Sequence, residues 1–276
     1  MIEIVEHGAV RELRLARPPA NALSPELMAA LTAALEQTAA EAASAASAAA
    51  SAASASGRVG ALVLSGTPGM FSAGLDLPYL LTLDRAGIRV MWKNLYSLLR
   101  TLAASPLPVV AAITGHSPAG GAVLAIHCDL RVMADGDFRI GLNEVRVGLP
   151  LPPVILAATQ RLVGPRQAER LSVSGVLLLP AEAARLGLVD EVAPADRVVE
   201  RAVAIAAELA ALPRAAMAAT RRLARADLVA LYDAVQAEDT AGGEVETVLD
   251  SWFSVEAQTT MRALVERLAR KRAGGG

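Results

Sequence analysis

The chain has 276 residues, with 26 Lys and Arg against 28 Asp and Glu, a net charge of −2 and only 3% aromatics, which excludes the basic, stacking surface that nucleic-acid binding needs. Apolar residues make up 54% of the chain and mean hydropathy is +0.41, yet the excess is mostly alanine and no uninterrupted apolar run is long enough to span a bilayer. The single cysteine, Cys128, excludes an internal disulfide framework and a multi-cysteine metal site, so the expectation is a cytoplasmic protein with no metal, membrane or nucleic-acid partner.

The N-terminus, MIEIVEHGAVRELRL, alternates apolar and charged residues and lacks the layout of a signal peptide. Ile2 to Val5 and Val10 to Leu15 read as two strands of a hairpin around His7-Gly8, with His7 solvated in the turn. The prolines and Asn21 of ARPPANALSPELMAAL make a loop. Ser24 is then an N-cap, Pro25 suits the first helical position, and Leu27, Leu31 and Leu35 continue a helical stripe. From Ala39 to Gly57 the chain is almost pure alanine and serine, so the helix can run on, but nothing large is there to pack and its far end should fray.

Val59 to Leu64 is a short buried strand that runs into SGTPGMFSAGLDL, a glycine-rich loop of the kind that lets backbone approach a ligand. Ile88 to Ala103 is a long helix carrying Trp92 and Tyr96 on its core or pocket side, and Val109 to Ile113 is a buried strand. A turn, Gly115 to Gly121, leads to a helix from Gly121 to His127, then to short strands at Asp129–Ala134 and Phe138–Ile140. Pro165 should start a helix, Gly187 should end one before a further strand, and from Arg197 onward only amphipathic helices are expected, ending in a glycine tail. Strands alternate with helices as far as about Val192 and only helices follow, which is the pattern of an α/β core with a helical C-terminal part.

The turn GHSPAGG invites two chemistries. Gly115-His116-Ser117-Pro118-Ala119 nearly fits a nucleophile elbow, but His127 is the only histidine after Ser117, so the hydrolase order serine, acid, histidine cannot be built. The backbone offers the other chemistry. Gly120 and Gly121 open a helix, where unpaired N–H groups at the positive end of the dipole can hold an oxyanion, with the loop after Leu64 as the source of a second donor. A tight crossover that needs small residues only for packing fits the spacing equally well.

The strings MFSAGLDL, PVVAAITGHSPAGGAVLAIHCDLRVMAD and RIGLNEVRVGLP together resemble the crotonase superfamily, also called the enoyl-CoA hydratase/isomerase family, and within it the mitochondrial-type delta isomerases. The resemblance implies an α/β, ClpP/crotonase-like spiral of ββα units. Residues 1–195 would form the core (39–57 an inserted Ala/Ser-rich stretch), 196–272 a helical trimerisation region and 273–276 a disordered tail. It implies an acyl-CoA thioester as partner, coenzyme A as part of the substrate rather than a separate cofactor, and a homotrimer or dimer of trimers.

The resemblance also assigns residues. The oxyanion-hole N–H groups map to Leu75 and Gly120, and main-chain contacts from Ser72, Ala73, Gly74 and Asp76 would line the pantetheine and thioester, with Asn143 against the acyl part or Glu144. Of the two glutamates that flank the substrate in hydratases, one position here is Val123 and the other is Glu144. A single carboxylate suits moving a double bond from 3-enoyl-CoA to trans-2-enoyl-CoA, because Val123 can neither hold nor deprotonate water. Apolar neighbours of Glu144 should raise its pKa towards the range useful for proton transfer. A hydratase or other crotonase-type enzyme, and a non-catalytic acyl-CoA-binding protein, remain the alternatives.

Overall fold

The alternation at the N-terminus folds into a hairpin. β1 (Ile2–His7) and β2 (Val10–Leu15) pair antiparallel around Gly8, whose φ of 66° lies in the left-handed region that glycine enters without steric penalty. This is a computed structural model, and it describes residues 1–49, 58–237 and 243–273. His7 is not simply solvated: its Nε2 lies 2.9 Å from Oε2 of Glu12, a fully buried carboxylate that also accepts from Ser65 and Arg14. Burial without partners would cost that carboxylate several kcal/mol, and these donors offset the cost.

α1 (Pro25–Ala49) starts as its sequence dictates, with the Ser24 hydroxyl accepting from the Leu27 N–H at 3.3 Å. It continues into the alanine–serine stretch as far as Ala49, and the expected fraying beyond that point falls outside the described residues.

The chain then repeats one unit: a strand of a large sheet, a short strand of a small sheet, and a helix. β3 (Ala61–Ser65) and β4 (Gly69–Met70) precede α2 (Leu77–Leu80) and α3 (Arg85–Ala104). β5 (Val109–Ile113) and β6 (Gly115–Pro118) precede α4 (Gly120–His127). β7 (Leu130–Ala134) and β8 (Ile140–Gly141) precede a 3-10 turn, Glu144–Val147, and α5 (Pro153–Ser174). α6 (Pro180–Arg185) and β9 (Glu191–Ala193) complete the large sheet, whose order is β1-β2-β3-β5-β7-β9, parallel from β2 onward. The small sheet, β4-β6-β8, is also parallel.

Two expected loops are therefore partly strand. Gly115–Pro118 pairs with β4 and β8 instead of turning, and Gly69–Met70 pairs with it. Gly115 permits this, since a Cβ there would lie 2.0 Å from the carbonyl carbon of Gly69. α5 is broken at Gly164 (φ 77°, ψ 160°), and Pro165 starts its second limb, as a proline at a first helical position does.

Every residue of β3 and β5 is buried. One face of the large sheet packs Val63, Val110 and Val132 against Ala202 and Ala206 of α7 (Val198–Ala210). The other face belongs to the larger core that includes Leu27 and Leu31 of α1 and Leu95 and Leu99 of α3. α8 (Arg214–Ala224), α9 (Ala226–Ala237), α10 (Glu244–Trp252) and α11 (Val255–Ala273) follow. Arg221 of α8 donates to the carbonyls of Leu102, Ala103 and Ser105 at the end of α3, and pairs with Asp129 at 2.9 Å. A guanidinium on the negative end of a helix satisfies orphan carbonyls, and it ties α8 to the sheet-bearing part. Among the described residues no single helix is long and apolar enough to cross a membrane.

Candidate active site

The loop after β4 and the start of α4 lie against each other. Leu23 and Leu75 form a parallel bridge, in which Leu23 N–H donates to Gly74 O at 2.7 Å and Asp76 N–H donates to Leu23 O at 3.1 Å. In that pattern the Leu75 N–H points away from Leu23, and it has no acceptor among the described residues. The Gly120 N–H opens α4 and is likewise without an acceptor.

The two donors are neighbours. A Cβ on Gly120 would lie 3.4 Å from Leu75 N and 3.1 Å from Gly74 Cα, and a Cβ on Gly74 would lie 2.9 Å from Gly120 N. Gly74 also has φ of 83°, so both glycines are required, one for its backbone conformation and both for close approach. Ala119 just before the second donor is held at φ 47° and ψ −121°, a strained conformation for a residue with a Cβ. Its N–H donates to Gly141 O at 2.8 Å, and its O accepts from Val123 N–H at 2.9 Å. Two unpaired N–H groups this close on interlocked backbone are the kind of arrangement that can donate to one oxygen carrying negative charge.

The side chains nearby are used internally. Ser72 Oγ donates to Asn21 O at 2.8 Å and accepts from Gly74 N–H at 3.2 Å. Asp76 pairs with Arg17 at 2.6 Å and caps α2 by accepting from Tyr79 N–H at 3.4 Å. Ala73 N–H donates to Ala20 O at 2.9 Å. The Ser72 and Asp76 side chains and the Ala73 and Gly74 N–H groups are thus satisfied within the protein. Ser117 is buried with its hydroxyl unpartnered, and His116 Nδ1 accepts from Arg139 N–H at 3.2 Å, so the two do not form a nucleophile–base pair.

Glu144 follows β8, which pairs Pro118 with Gly141. Three residues of chain span at most about 11 Å, so Glu144 lies within that reach of the β6–β8 pair that leads into Ala119 and Gly120. It opens the 3-10 turn, which ends at Gly148 in the left-handed conformation with φ 77°. A Cβ on Gly148 would lie 2.9 Å from Ala257 Cα, so α11 is seated directly on the turn. Arg146 fastens the turn from the other side by donating to Gly175 O at 2.6 Å, beyond the end of α5.

Leu142 and Leu149 are buried, and Val147 and Leu151 pack on the same apolar core. Glu144 Oε2 is buried and has no hydrogen-bond partner, and neither has Asn143 Oδ1. Burial pushes the Glu144 carboxyl up from 4.5 to about 7. An acid that is half ionised near neutrality can both take and return a proton.

Val123 lies in the first turn of α4 as a buried apolar side chain. His127 is fully buried: its Nδ1–H donates to Val123 O at 2.7 Å and its Nε2 accepts from Tyr232 O–H at 2.6 Å. Burial lowers its pKa to about 4, so it is a neutral strut between α4 and α9, and burial raises Cys128 to about 12. Trp92 and Tyr96 are buried core residues whose ring centroids lie 5.8 Å apart. Among the described residues no three His, Cys, Asp or Glu side chains group to hold a metal.

Sequence reasoning passed over two residues that this geometry depends on. Asn21 appeared only as a loop former, and Ala119 carried no signal, because strain at an alanine is invisible in a string.

A spiral of ββα units with paired N–H donors at a glycine turn is the architecture of a crotonase-fold enzyme. Residues 6–270 match the family described as enoyl-CoA hydratase/isomerase, and the chain belongs to that family. Among similar proteins, mitochondrial enoyl-CoA delta isomerase 1 of Mus musculus is 35% identical over 226 residues, 82% of this chain and 73% of that protein. A putative enoyl-CoA hydratase of Thermus thermophilus is 37% identical over 212 residues, 75% of this chain and 76% of the relative. The crystal structure of human mitochondrial delta3-delta2-enoyl-CoA isomerase superposes with a TM-score of 0.87, at 28% identity and over 98% of both chains.

Proposed function

We propose that the protein is an enoyl-CoA delta isomerase that converts 3-enoyl-CoA to trans-2-enoyl-CoA in the β-oxidation of unsaturated fatty acyl chains, with Glu144 as its acid–base group. The observation that carries this reading is a lone carboxylate, raised to about 7 by burial, three residues after a strand that pairs with the strand leading to Gly120, with the buried, apolar Val123 in place of a second acid. In this mechanism Glu144 removes a proton from the α-carbon of the β,γ-unsaturated thioester. The C–H electron pair forms a double bond between the carbonyl carbon and the α-carbon, the β,γ double bond stays in place, and negative charge falls on the thioester oxygen of this dienolate. Leu75 N–H and Gly120 N–H donate to that oxygen, each contributing on the order of 3 kcal/mol to the transition state. The protonated Glu144 returns its proton to the γ-carbon, the carbonyl re-forms as the double bond shifts to the α,β-position, and the conjugated product leaves with the carboxylate restored. General base catalysis contributes roughly a hundred- to ten-thousand-fold.

In this reading Asn143, the residue before Glu144, whose Oδ1 is buried without a partner among the described residues, contacts the acyl chain or orients Glu144. The isomerase-named relatives and the replacement of one carboxylate by valine support isomerisation over hydration. Hydration remains the second reading, on the strength of the hydratase-named relative of Thermus thermophilus.

The deciding experiment is Glu144→Gln. Acyl-CoA affinity should stay within a few-fold, while conversion of 3-enoyl-CoA, followed by absorbance of the conjugated thioester, falls by roughly a thousand-fold. Near-normal turnover overturns the assignment. Incubating the unaltered enzyme with trans-2-enoyl-CoA separates the two readings, since 3-hydroxyacyl-CoA at a rate rivalling isomerisation identifies a hydratase.

A further inference from the structure

Asn21 is fully buried and adopts φ of 49°, which asparagine tolerates better than other side-chain-bearing residues. Its carboxamide is spent entirely within the protein. Oδ1 accepts from Arg17 N–H at 2.9 Å, and Nδ2 reaches Met70 O at 3.2 Å, Phe71 O at 3.1 Å and Thr67 Oγ1 at 3.2 Å. Its main-chain carbonyl accepts from the Ser72 hydroxyl at 2.8 Å, and that hydroxyl in turn accepts from Gly74 N–H at 3.2 Å. One side chain and one carbonyl thus hold Thr67, Met70, Phe71, Ser72 and, through Ser72, Gly74. The next residue is Leu75, whose N–H is unpaired.

We infer that Asn21 is a positioning residue: with its carboxamide on the Met70 and Phe71 carbonyls and its main-chain carbonyl on Ser72, it sets where the Leu75 N–H points, and so how strongly a thioester oxygen is polarised, without touching the ligand itself. The inference rests on the oxyanion-hole reading proposed above. The carboxamide is suited to this task because it combines an acceptor facing Arg17 with two N–H donors facing the loop carbonyls, and no other side chain of that size supplies both. An aspartate would turn an oxygen towards the carbonyls of Met70 and Phe71 and push the loop away. Leu75 N–H then loses its aim while the rest of the pocket wall stays in place.

The test compares two ligands on the full chain: trans-2-enoyl-CoA and its thioether analogue, which lacks the carbonyl oxygen. The unaltered protein should bind the thioester more tightly and shift the carbonyl stretch of a 13C-labelled thioester to lower frequency. Asn21→Gly keeps the permitted backbone conformation and removes only the side chain, and Ser72→Ala cuts the relay with a smaller disturbance. Both variants should lose most of the frequency shift and at least ten-fold of the thioester preference, keep thioether affinity within two-fold, and lower kcat by about ten- to a hundred-fold with little change in KM.

A variant that folds but weakens both ligands equally, or that keeps the full carbonyl shift, overturns the positioning role. If Asn21→Gly fails to fold, Ser72→Ala alone decides by the same readout. If the unaltered protein itself does not discriminate the two ligands, the oxyanion-hole reading fails, and this outcome is distinct from a failure of Asn21.

Discussion

The two sides of the site are built in opposite ways. On the donor side, Leu75 and Gly120 sit on backbone fixed by hydrogen bonds and close contacts, down to a strained alanine and glycines that admit no Cβ. On the carboxylate side, Glu144 Oε2 has no partner among the described residues, and the carboxyl's own backbone N–H is the one donor that offsets its burial. The difference follows from what each side does in the proposed reaction. A donor that meets developing charge is most effective when it is already aimed, because reorganisation then costs nothing at the moment of reaction. A group that gains and loses a proton is poorly served by a fixed donor or cation, since either would hold it ionised and depress its pKa. Rigidity on one side and electrostatic isolation on the other are therefore complementary requirements.

The largest effect should come from breaking the rigid side. Gly74→Ala puts a methyl 2.9 Å from Gly120 N at a backbone φ of 83°. Turnover should fall by a thousand-fold or more, while the ionisation of Glu144, followed by infrared carboxylate bands, stays near 7. A shift of that ionisation by more than a unit would mean that the two sides are not independent.

The isolated side is tested by pH. With Glu144 required as a base and its pKa near 7, kcat/KM should fall about ten-fold for each pH unit below that point and level off above it. A flat profile between pH 5 and 8 would contradict the assignment.

Isolation also has a cost in stability. The folded carboxyl titrates near 7 and its reference value is 4.5, so between those values the native chain holds a proton that the unfolded chain has released. Stability therefore falls as pH rises through that window, and the loss is complete above the folded value. Glu144→Gln removes the effect. It should be about 2–3 kcal/mol more stable than the parent above pH 7 and nearly equal to it at pH 4, measured by urea denaturation.

The smallest effect lies outside the comparison. Tyr232→Phe leaves Nε2 of the buried His127 without its donor and should lower stability by about 1–2 kcal/mol with kcat unchanged. A loss of turnover there would draw the helix behind Gly120 into the chemistry.

Some of these features are visible in the amino-acid string and others are not. The hairpin, the Ser24 cap, the buried strand at Val109–Ile113 and the break before Pro165 follow from local patterns, because alternation, capping and proline act over a few residues. The turn at Gly120 left a donor and a mere packing crossover equally open, and Glu144 stood out only through the family resemblance, since its neighbours alone do not separate a buried acid from a solvated one. The small sheet was not legible: Gly115–Pro118 and Gly69–Met70 become strands only because they find each other across the fold, and glycine-rich segments carry no strand signature. Asn21 was hidden for the same reason, since its partners Met70 and Phe71 are about fifty residues away in sequence. His7 resembled a solvated turn residue until the fold buried Glu12 beside it.

Gly148 carries one more consequence. By letting α11 press onto the turn that bears Glu144, it makes the acid's environment depend on a helix made well after it during synthesis. A nascent chain that has formed its sheets but not yet docked α11 would hold Glu144 in a more watery setting, where less burial raises its pKa less. In the proposed reaction, competence for proton transfer would then be acquired late, when the final helix closes, and not when the residues of the site first emerge.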